Sequence, residues 1–206
     1  MLRNNIIKTF AGQPFKKDKK LKLIEEIAKD IEFQEGAVND GNTQIRASNI
    51  KWFVPNSEEE DNKVGELFDY IGPFVNGANE HSEDDKDGWG FELTAFEPMQ
   101  YTIYDGDNSP GAHYGWHTDN YLGPPEDTVR KISFTILLSK PRVDFEGGDL
   151  IIEQGSPQLG KSRRVPVDLR QGDMVVFPSY HWHKVTPVTK GIRKSLVGWV
   201  RGPQWK

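Results

Sequence analysis

The sequence predicts a mainly β protein: about eight short strands in a sandwich, barrel or jelly roll, with two N-terminal helices packed on one sheet. Three observations predict it. Helical spacing of apolar residues occurs only before Gly90. After Gly90 the apolar stretches are short and strand-like, and Gly, Pro, Asp or Asn separates most of them. No helical pattern intervenes between those stretches, which argues against β-α-β units.

Taken in order, Ile6 to Phe10 reads as a short entry strand ended by Gly12 and Pro14. Leu21, Ile24, Ile27 and Ile31 recur at helical spacing, which predicts an amphipathic helix over about residues 17–33. Asn39 to Asn42 reads as a turn, and Ile50 to Val54 as a strand ended by Pro55. Ser57 followed by Glu58, Glu59 and Glu60 is a helix N-terminus. Val64, Leu67, Phe68 and Ile71 continue that helix, with a kink expected at Pro73 and a loop over Asn79 to Gly88. The strands expected next are Phe91–Tyr104, Trp116–Asn120, Lys131–Ser139, Asp149–Glu153, Val165–Leu169, Met174–Phe177, His183–Thr186 and Lys194–Val200.

The 206 residues are expected to form one domain, with 1–90 a helical and strand support region and 91–206 the β core. Basic and acidic residues number 26 and 31, so there is no electrostatic footprint for nucleic acid, and a nucleic-acid partner is not expected. No apolar run reaches membrane-span length and the N-terminus does not read as a secretory signal, which points to a cytoplasmic protein without a membrane partner. There is no cysteine, so any metal must be held by nitrogen and oxygen.

The chemistry concentrates in Tyr114-Gly115-Trp116-His117-Thr118-Asp119-Asn120. On a strand, positions i and i+2 share a face, so His117 and Asp119 aim an imidazole and a carboxylate at one point. That is two thirds of a 2-His-1-carboxylate site for non-haem Fe(II). An isolated His-x-Asp arises often by chance, and the third ligand is open between His181 and His183. The segment from His183 to Ser195 reads as strand, turn at Thr189 to Gly191, and return strand, a hairpin that would bring Arg193 beside His183. Arg193 with Ser195, two positions on, forms a carboxylate-binding pair.

These residues resemble a known family, the Fe(II)/2-oxoglutarate-dependent oxygenases, in particular the prolyl 4-hydroxylase-like branch and its PKHD-type members of bacteria and phages. The resemblance runs through His117-x-Asp119 and the Phe177-Pro178-Ser179 and His183-x-Val185-x-Pro187-Val188-Thr189-x-Gly191-x-Arg193-x-Ser195 block, with Trp199 after it. It spans roughly Met99 to Trp199, and more weakly Ile45 to Trp52. It implies a double-stranded β-helix fold, with His117, Asp119 and His183 as iron ligands. Arg193, Ser195 and Tyr104 would hold 2-oxoglutarate. The implied reaction consumes dioxygen, releases succinate and carbon dioxide, and hydroxylates a C–H bond, with ascorbate a candidate reductant. Because Asp119 is present, the halogenating variant of the family is disfavoured.

The resemblance favours a prolyl residue in a protein or peptide as substrate. A free amino acid, another small metabolite or a nucleobase is the alternative, and a non-catalytic cupin-like module binding metal or a small acid is a third reading. Trp116, Tyr121, His181 and Trp182 are candidates to line the mouth. Gly123-Pro124-Pro125-Glu126-Asp127 is a candidate mobile segment over it.

Overall fold

A computed structural model describes residues 7–11, 15, 19–36, 46–55, 62–81, 87–120, 122–123, 127–154 and 163–205. In chain order they hold β1 (Lys8–Phe10), α1 (Lys19–Lys29), β2 (Gln34–Glu35), β3 (Asn49–Phe53), α2 (Lys63–Asn79), β4 (Ala95–Phe96) and β5 (Met99–Asp105). There follow β6 (Tyr114–His117), β7 (Leu122–Gly123), β8 (Thr128–Leu137), β9 (Phe145–Gly147), β10 (Leu150–Gln154), β11 (Arg163–Pro166), β12 (Met174–Pro178), β13 (His183–Val185) and β14 (Val188–Pro203). A major sheet runs β1-β12-β8-β14-β5-β3-β2, with β4, β7 and β9 attached. A minor sheet runs β11-β10-β13-β6. This is a mainly β jelly roll with two supporting helices, as expected.

Strand alternation divides the buried residues into two cores. Met99 and Tyr101 on β5, Ile132, Phe134 and Ile136 on β8, and Leu196 and Val200 on β14 pack beneath the helices, against Ile24, Ile27, Leu67, Ile71 and Val75. The intervening positions face the minor sheet. Tyr104, Leu137, Val175 and Phe177 meet Leu150, Ile152 and Val185 there. Gln100, Thr102, Ser133, Thr135, Arg193 and Ser195 occupy the same inward rows, where a wholly apolar core would put aliphatic side chains. A polar stripe on the inner face of a closed sandwich marks the place where the core gives way to a site.

Several boundaries differ from expectation. Helix α1 ends at Lys29, and Ile31 packs against the core from beyond it. Helix α2 begins at Lys63, where Asn62 caps it by accepting the Gly65 N–H at 2.8 Å. Ser57 and Glu58–Glu60 lie outside the described residues, as does the Asn39–Asn42 turn. The helix continues through Pro73 to Asn79, carried by burial of Ile71, Val75 and Ala78 despite the missing proline donor. The expected Phe91–Tyr104 strand is β4 and β5 separated by Pro98, and Gly123 of the expected mouth segment pairs with Thr128. No helix among the described residues is long and apolar enough to cross a membrane.

The expected hairpin between His183 and Arg193 is not formed. Strand β13 pairs with β10 and β6 in the minor sheet, whereas β14 pairs with β5, β8, β9 and β4. The chain crosses between sheets at Thr186 and Pro187, tied by Thr186 N–H to Asp149 O (2.9 Å) and Gly148 N–H to Pro187 O (3.0 Å). Gly191 belongs to β14, with φ of 71° and an added Cβ only 2.1 Å from the Asp144 carbonyl oxygen. The glycine that reads as a turn is a close approach of backbone to backbone.

Candidate metal centre and cavity

The minor sheet presents the metal donors. His183 on β13 lies directly opposite His117 on β6, so the two imidazoles emerge side by side with ring centres 4.1 Å apart. Asp119 sits just beyond the end of β6, not on the strand, and its N–H donates to Ser179 O at 2.9 Å. That bond turns the carboxylate back beneath the imidazoles. His117 Nε2 lies 3.7 Å from Asp119 Oδ1, and His183 Nε2 lies 3.4 Å from Asp119 Oδ2.

The donor set fits a divalent metal on three counts. A metal about 2.1 Å from each of three facial donors needs them ~3 Å apart, and these separations are close to that. His117 Nδ1 is 2.8 Å from Gly115 O and His183 Nδ1 is 2.9 Å from His181 O. Each Nδ1–H therefore donates to a carbonyl, which leaves both Nε2 lone pairs facing Asp119. Ser133 Oγ donates to Asp119 Oδ2 at 2.8 Å and lies 2.9 Å from Ser179 Oγ, which fixes the carboxylate plane. Tyr114 stacks on His117, with ring centres 3.5 Å apart.

Burial and mutual charge set the protonation of this cluster. Burial, then the neighbouring His183, hold the His117 imidazole down at about 4, against the pull of Asp119. Burial would raise the Asp119 carboxyl, but His183 and His117 overcome it and hold it well below the ordinary carboxylate range. Burial would lower His183, but Asp119 wins and raises it above 6.5. In the metal-free protein, Asp119 therefore stabilises the fold above its unfolded value of 3.8 and loses that contribution on acidification. His183 stabilises it below 6.5 and loses that contribution as pH rises through its raised value. Their joint contribution is greatest between those two values. A metal competes with the proton on His183, so affinity for Mn(II) is expected to rise with pH through the neutral range, by roughly tenfold per unit for one proton released. Calorimetry at several pH values checks this, and a flat profile would contradict it.

The major sheet supplies the opposite wall of a cavity of about 370 Å³. Arg193 on β14 registers against Tyr104 on β5, with its guanidinium carbon 5.4 Å from the Tyr104 ring centre. Arg193 is 2% exposed, and Nη1 donates to Ser195 Oγ at 3.2 Å. No carboxylate among the described residues forms an ion pair with it. Gly148, with φ of 65°, lets the chain pass: a Cβ there would stand 2.8 Å from Arg193 Cδ. Burial pushes the Tyr104 phenol up, with Arg46 and Arg193 partly opposing, so it stays a neutral donor.

The structure thus brings together His117, Asp119, His183, Tyr104, Arg193 and Ser195, all of which line the cavity. It does not bring the mouth candidates to it. Trp116 lies under Arg164 and Lys184, at 4.9 and 5.1 Å, away from the cavity. His181 packs beside Tyr180, Trp182 is 49% exposed, and neither lines the cavity. Tyr121 lies outside the described residues. Sequence reasoning missed Ser133, which holds Asp119, and the cavity-lining residues Gln100, Trp52, Arg130 and Arg46. The first two were within reach, since Ser133 and Thr135 alternate with Ile132, Phe134 and Ile136, and Gln100 and Thr102 share a face with Tyr104. His183→Ala is expected to lose Mn(II) affinity by a hundredfold or more, a typical scale for losing a ligand with its supporting bonds. His181→Ala, which keeps the backbone carbonyl that orients His183, should stay within about threefold. The reverse ranking would reassign the ligand.

Comparison with known proteins follows the same lines. The family model of the 2OG-Fe(II) oxygenase superfamily matches residues 99–201. A PKHD-type hydroxylase of Idiomarina loihiensis is 47% identical over 92 residues, covering 44% of this chain and 38% of that protein. The matched segments span less than half the length of the first curated relatives, 38% and 46%. Among solved structures, a Pseudomonas putida prolyl-4-hydroxylase superposes with a TM-score of 0.66 at 22% identity, over 96% of this chain and 93% of that one. A Trichoplax adhaerens prolyl hydroxylase, solved with a hypoxia inducible factor peptide fragment, gives a TM-score of 0.68 at 17% identity, over 95% and 83%. At these identities the structural likeness establishes the fold.

Proposed function

The chain belongs to the 2OG-Fe(II) oxygenase superfamily, and from that membership we propose that it hydroxylates a prolyl residue in a protein or peptide. The observation that carries the reading is one cavity with three converged donors on one wall and, on the other, a buried arginine that no carboxylate among the described residues ion-pairs. The name of the PKHD-type hydroxylase supports hydroxylation, and the names of the two similar structures, both prolyl hydroxylases, support the choice of proline.

In this reading each residue has a defined task. His117 Nε2, His183 Nε2 and one Asp119 oxygen would hold Fe(II). Ser133 keeps the carboxylate in plane, and the Gly115 and His181 carbonyls keep both imidazoles in the ligating tautomer. Arg193, with Ser195 and the Tyr104 hydroxyl, binds the remote carboxylate of 2-oxoglutarate; the dry wall around it strengthens that charge-assisted pairing. When bound, the iron supplies oxidising power from dioxygen, with 2-oxoglutarate decarboxylated to succinate and carbon dioxide as one oxygen atom enters the substrate C–H bond. Trp199, with Arg130 stacked 3.9 Å over it, walls the cavity on the side away from Arg193 and limits water entry.

The test is incubation of the protein with Fe(II), 2-oxoglutarate, ascorbate and a panel of proline-containing peptides. Succinate formation matched by gain of one oxygen atom on a prolyl ring is the expected result. Oxygen gain confined to another residue type or to a non-peptide would overturn the choice of proline.

A further inference from the structure

Arg193 is not the only buried cation on the cavity wall. Arg46 is 6% exposed and lines the same space. Its Nε donates to Ser48 Oγ at 2.8 Å, its Nη2 donates to Gln100 Oε1 at 2.6 Å, and its guanidinium lies 4.7 Å over the Tyr114 ring. Every one of those partners is neutral. No carboxylate among the described residues pairs with Arg46, and no acceptor among them reaches its Nη1.

A largely buried charge ordinarily carries a counter-charge. The same cavity provides the contrast. Arg130 holds Glu97 through contacts of 2.6 to 3.0 Å, and Arg201 shares that carboxylate at 2.6 Å. The fold thus gives Arg130 and Arg201 a directly bonded carboxylate, whereas among the described residues none is bonded to Arg46 or Arg193, and Asp149 acts on Arg193 only at longer range. Gln100 and Tyr104 stand on one face of β5, four residues and roughly 13 Å apart. Arg46 is anchored at Gln100 and Arg193 registers against Tyr104, and both guanidiniums act on the Tyr104 phenol.

The co-substrate accounts for only one of them. In the proposed reaction, one carboxylate of 2-oxoglutarate goes to the metal and the other to Arg193. Glu97 is shared between Arg130 and Arg201. Arg46 has no such partner among the described residues, and its guanidinium lies over Tyr114, whose ring stacks on the donor His117. The same cavity is lined by Trp199, whose Nε1–H is buried without an acceptor among the described residues.

We infer that Arg46, presented by Gln100 and Tyr114, is the specificity-determining residue for a carboxylate carried by the substrate. The inference rests on the hydroxylase reading and narrows it, because the target carbon would belong to, or adjoin, a residue bearing a carboxylate. That group is either the α-carboxylate of the target residue or an acidic side chain beside it.

Two probe pairs distinguish these sources: N-acetyl-L-proline against N-acetyl-L-prolinamide, and acetyl-Pro-Asp-amide against acetyl-Pro-Asn-amide. Binding is measured by calorimetry, with and without Mn(II) and 2-oxoglutarate. In one pair the carboxylate probe is expected to bind at least tenfold tighter than its amide, and the pair that shows this identifies the source. Arg46→Gln should erase the preference and Arg46→Lys retain part of it. Gln100→Glu is the control for folding: it is nearly isosteric and gives Arg46 an internal counter-charge. It should erase the preference while the melting temperature holds or rises, with 2-oxoglutarate affinity changed less than twofold. Equal or undetectable binding within both pairs would overturn the assignment. So would an Arg46→Gln variant that weakens 2-oxoglutarate as much as loss of Arg193 does. Succinate formation without carboxylate preference would sink this subsite alone, whereas preference without succinate formation would sink the hydroxylase reading and leave the subsite standing.

Discussion

Replacing Asp119 by alanine is expected to abolish 2-oxoglutarate-dependent succinate formation, with a loss on the order of a thousandfold or more, equivalent to several kcal/mol of lost metal-centred stabilisation. Asp119 is the single anion in the donor set, and three separate contacts hold it in place: its own N–H to Ser179, and Ser133 and His183 at Oδ2. The fold should survive, because the residue sits beyond the end of β6 and outside both apolar cores. The variant also removes the counter-charge that raises His183, so that imidazole becomes easier to deprotonate. Metal affinity should therefore fall sharply while its pH dependence flattens near neutrality. Circular dichroism, Mn(II) calorimetry and a succinate assay on one preparation check all three. Unimpaired turnover would remove Asp119 from the metal site.

Arg193→Met should raise the 2-oxoglutarate requirement by roughly a hundredfold or more while leaving Mn(II) affinity nearly unchanged. Truncating one partner of a buried charge pair costs about 2–5 kcal/mol of binding, much of it the penalty on the charge left behind. Metal affinity is spared because Arg193 approaches from β14 in the major sheet and touches none of the donors on the minor sheet. Stability should hold or rise, since the substitution exchanges a buried cation, not ion-paired by any carboxylate among the described residues, for an apolar side chain of similar length. A melting curve and a 2-oxoglutarate titration separate these effects. Equal losses for metal and co-substrate would contradict the assignment.

The legible part of this protein was what local pattern controls. Short apolar strands, glycine and aspartate punctuation, and two N-terminal helical stripes specify a β sandwich with helices on one face. The His117-x-Asp119 and His183-to-Ser195 spacings point to a metal and a carboxylate. Long-range pairing is what the pattern did not carry. The segment after His183 reads locally as a hairpin, yet Thr186 donating to the Asp149 carbonyl and Pro187 accepting from the Gly148 N–H send the chain to the other sheet. Arg193 reaches the cavity across it rather than beside His183. Trp116 reads as a mouth residue because it neighbours His117, but its companions Arg164 and Lys184 are distant in sequence. Arg46 falls in the weakly resembling stretch Ile45 to Trp52 but did not stand out there, since its surroundings depend on Gln100, 54 residues away.

The central claim is that the triad and Arg193 together form one iron and 2-oxoglutarate site. Anaerobic titration of the protein with Fe(II) and then 2-oxoglutarate tests it most directly, through the visible absorption band of the chelate. The account predicts a band that requires both additions, is absent in Asp119→Ala, and in Arg193→Met needs far more 2-oxoglutarate to appear. Well-folded protein that binds the metal but develops no band at saturating 2-oxoglutarate would contradict it, and would favour a metal-binding module without the co-substrate.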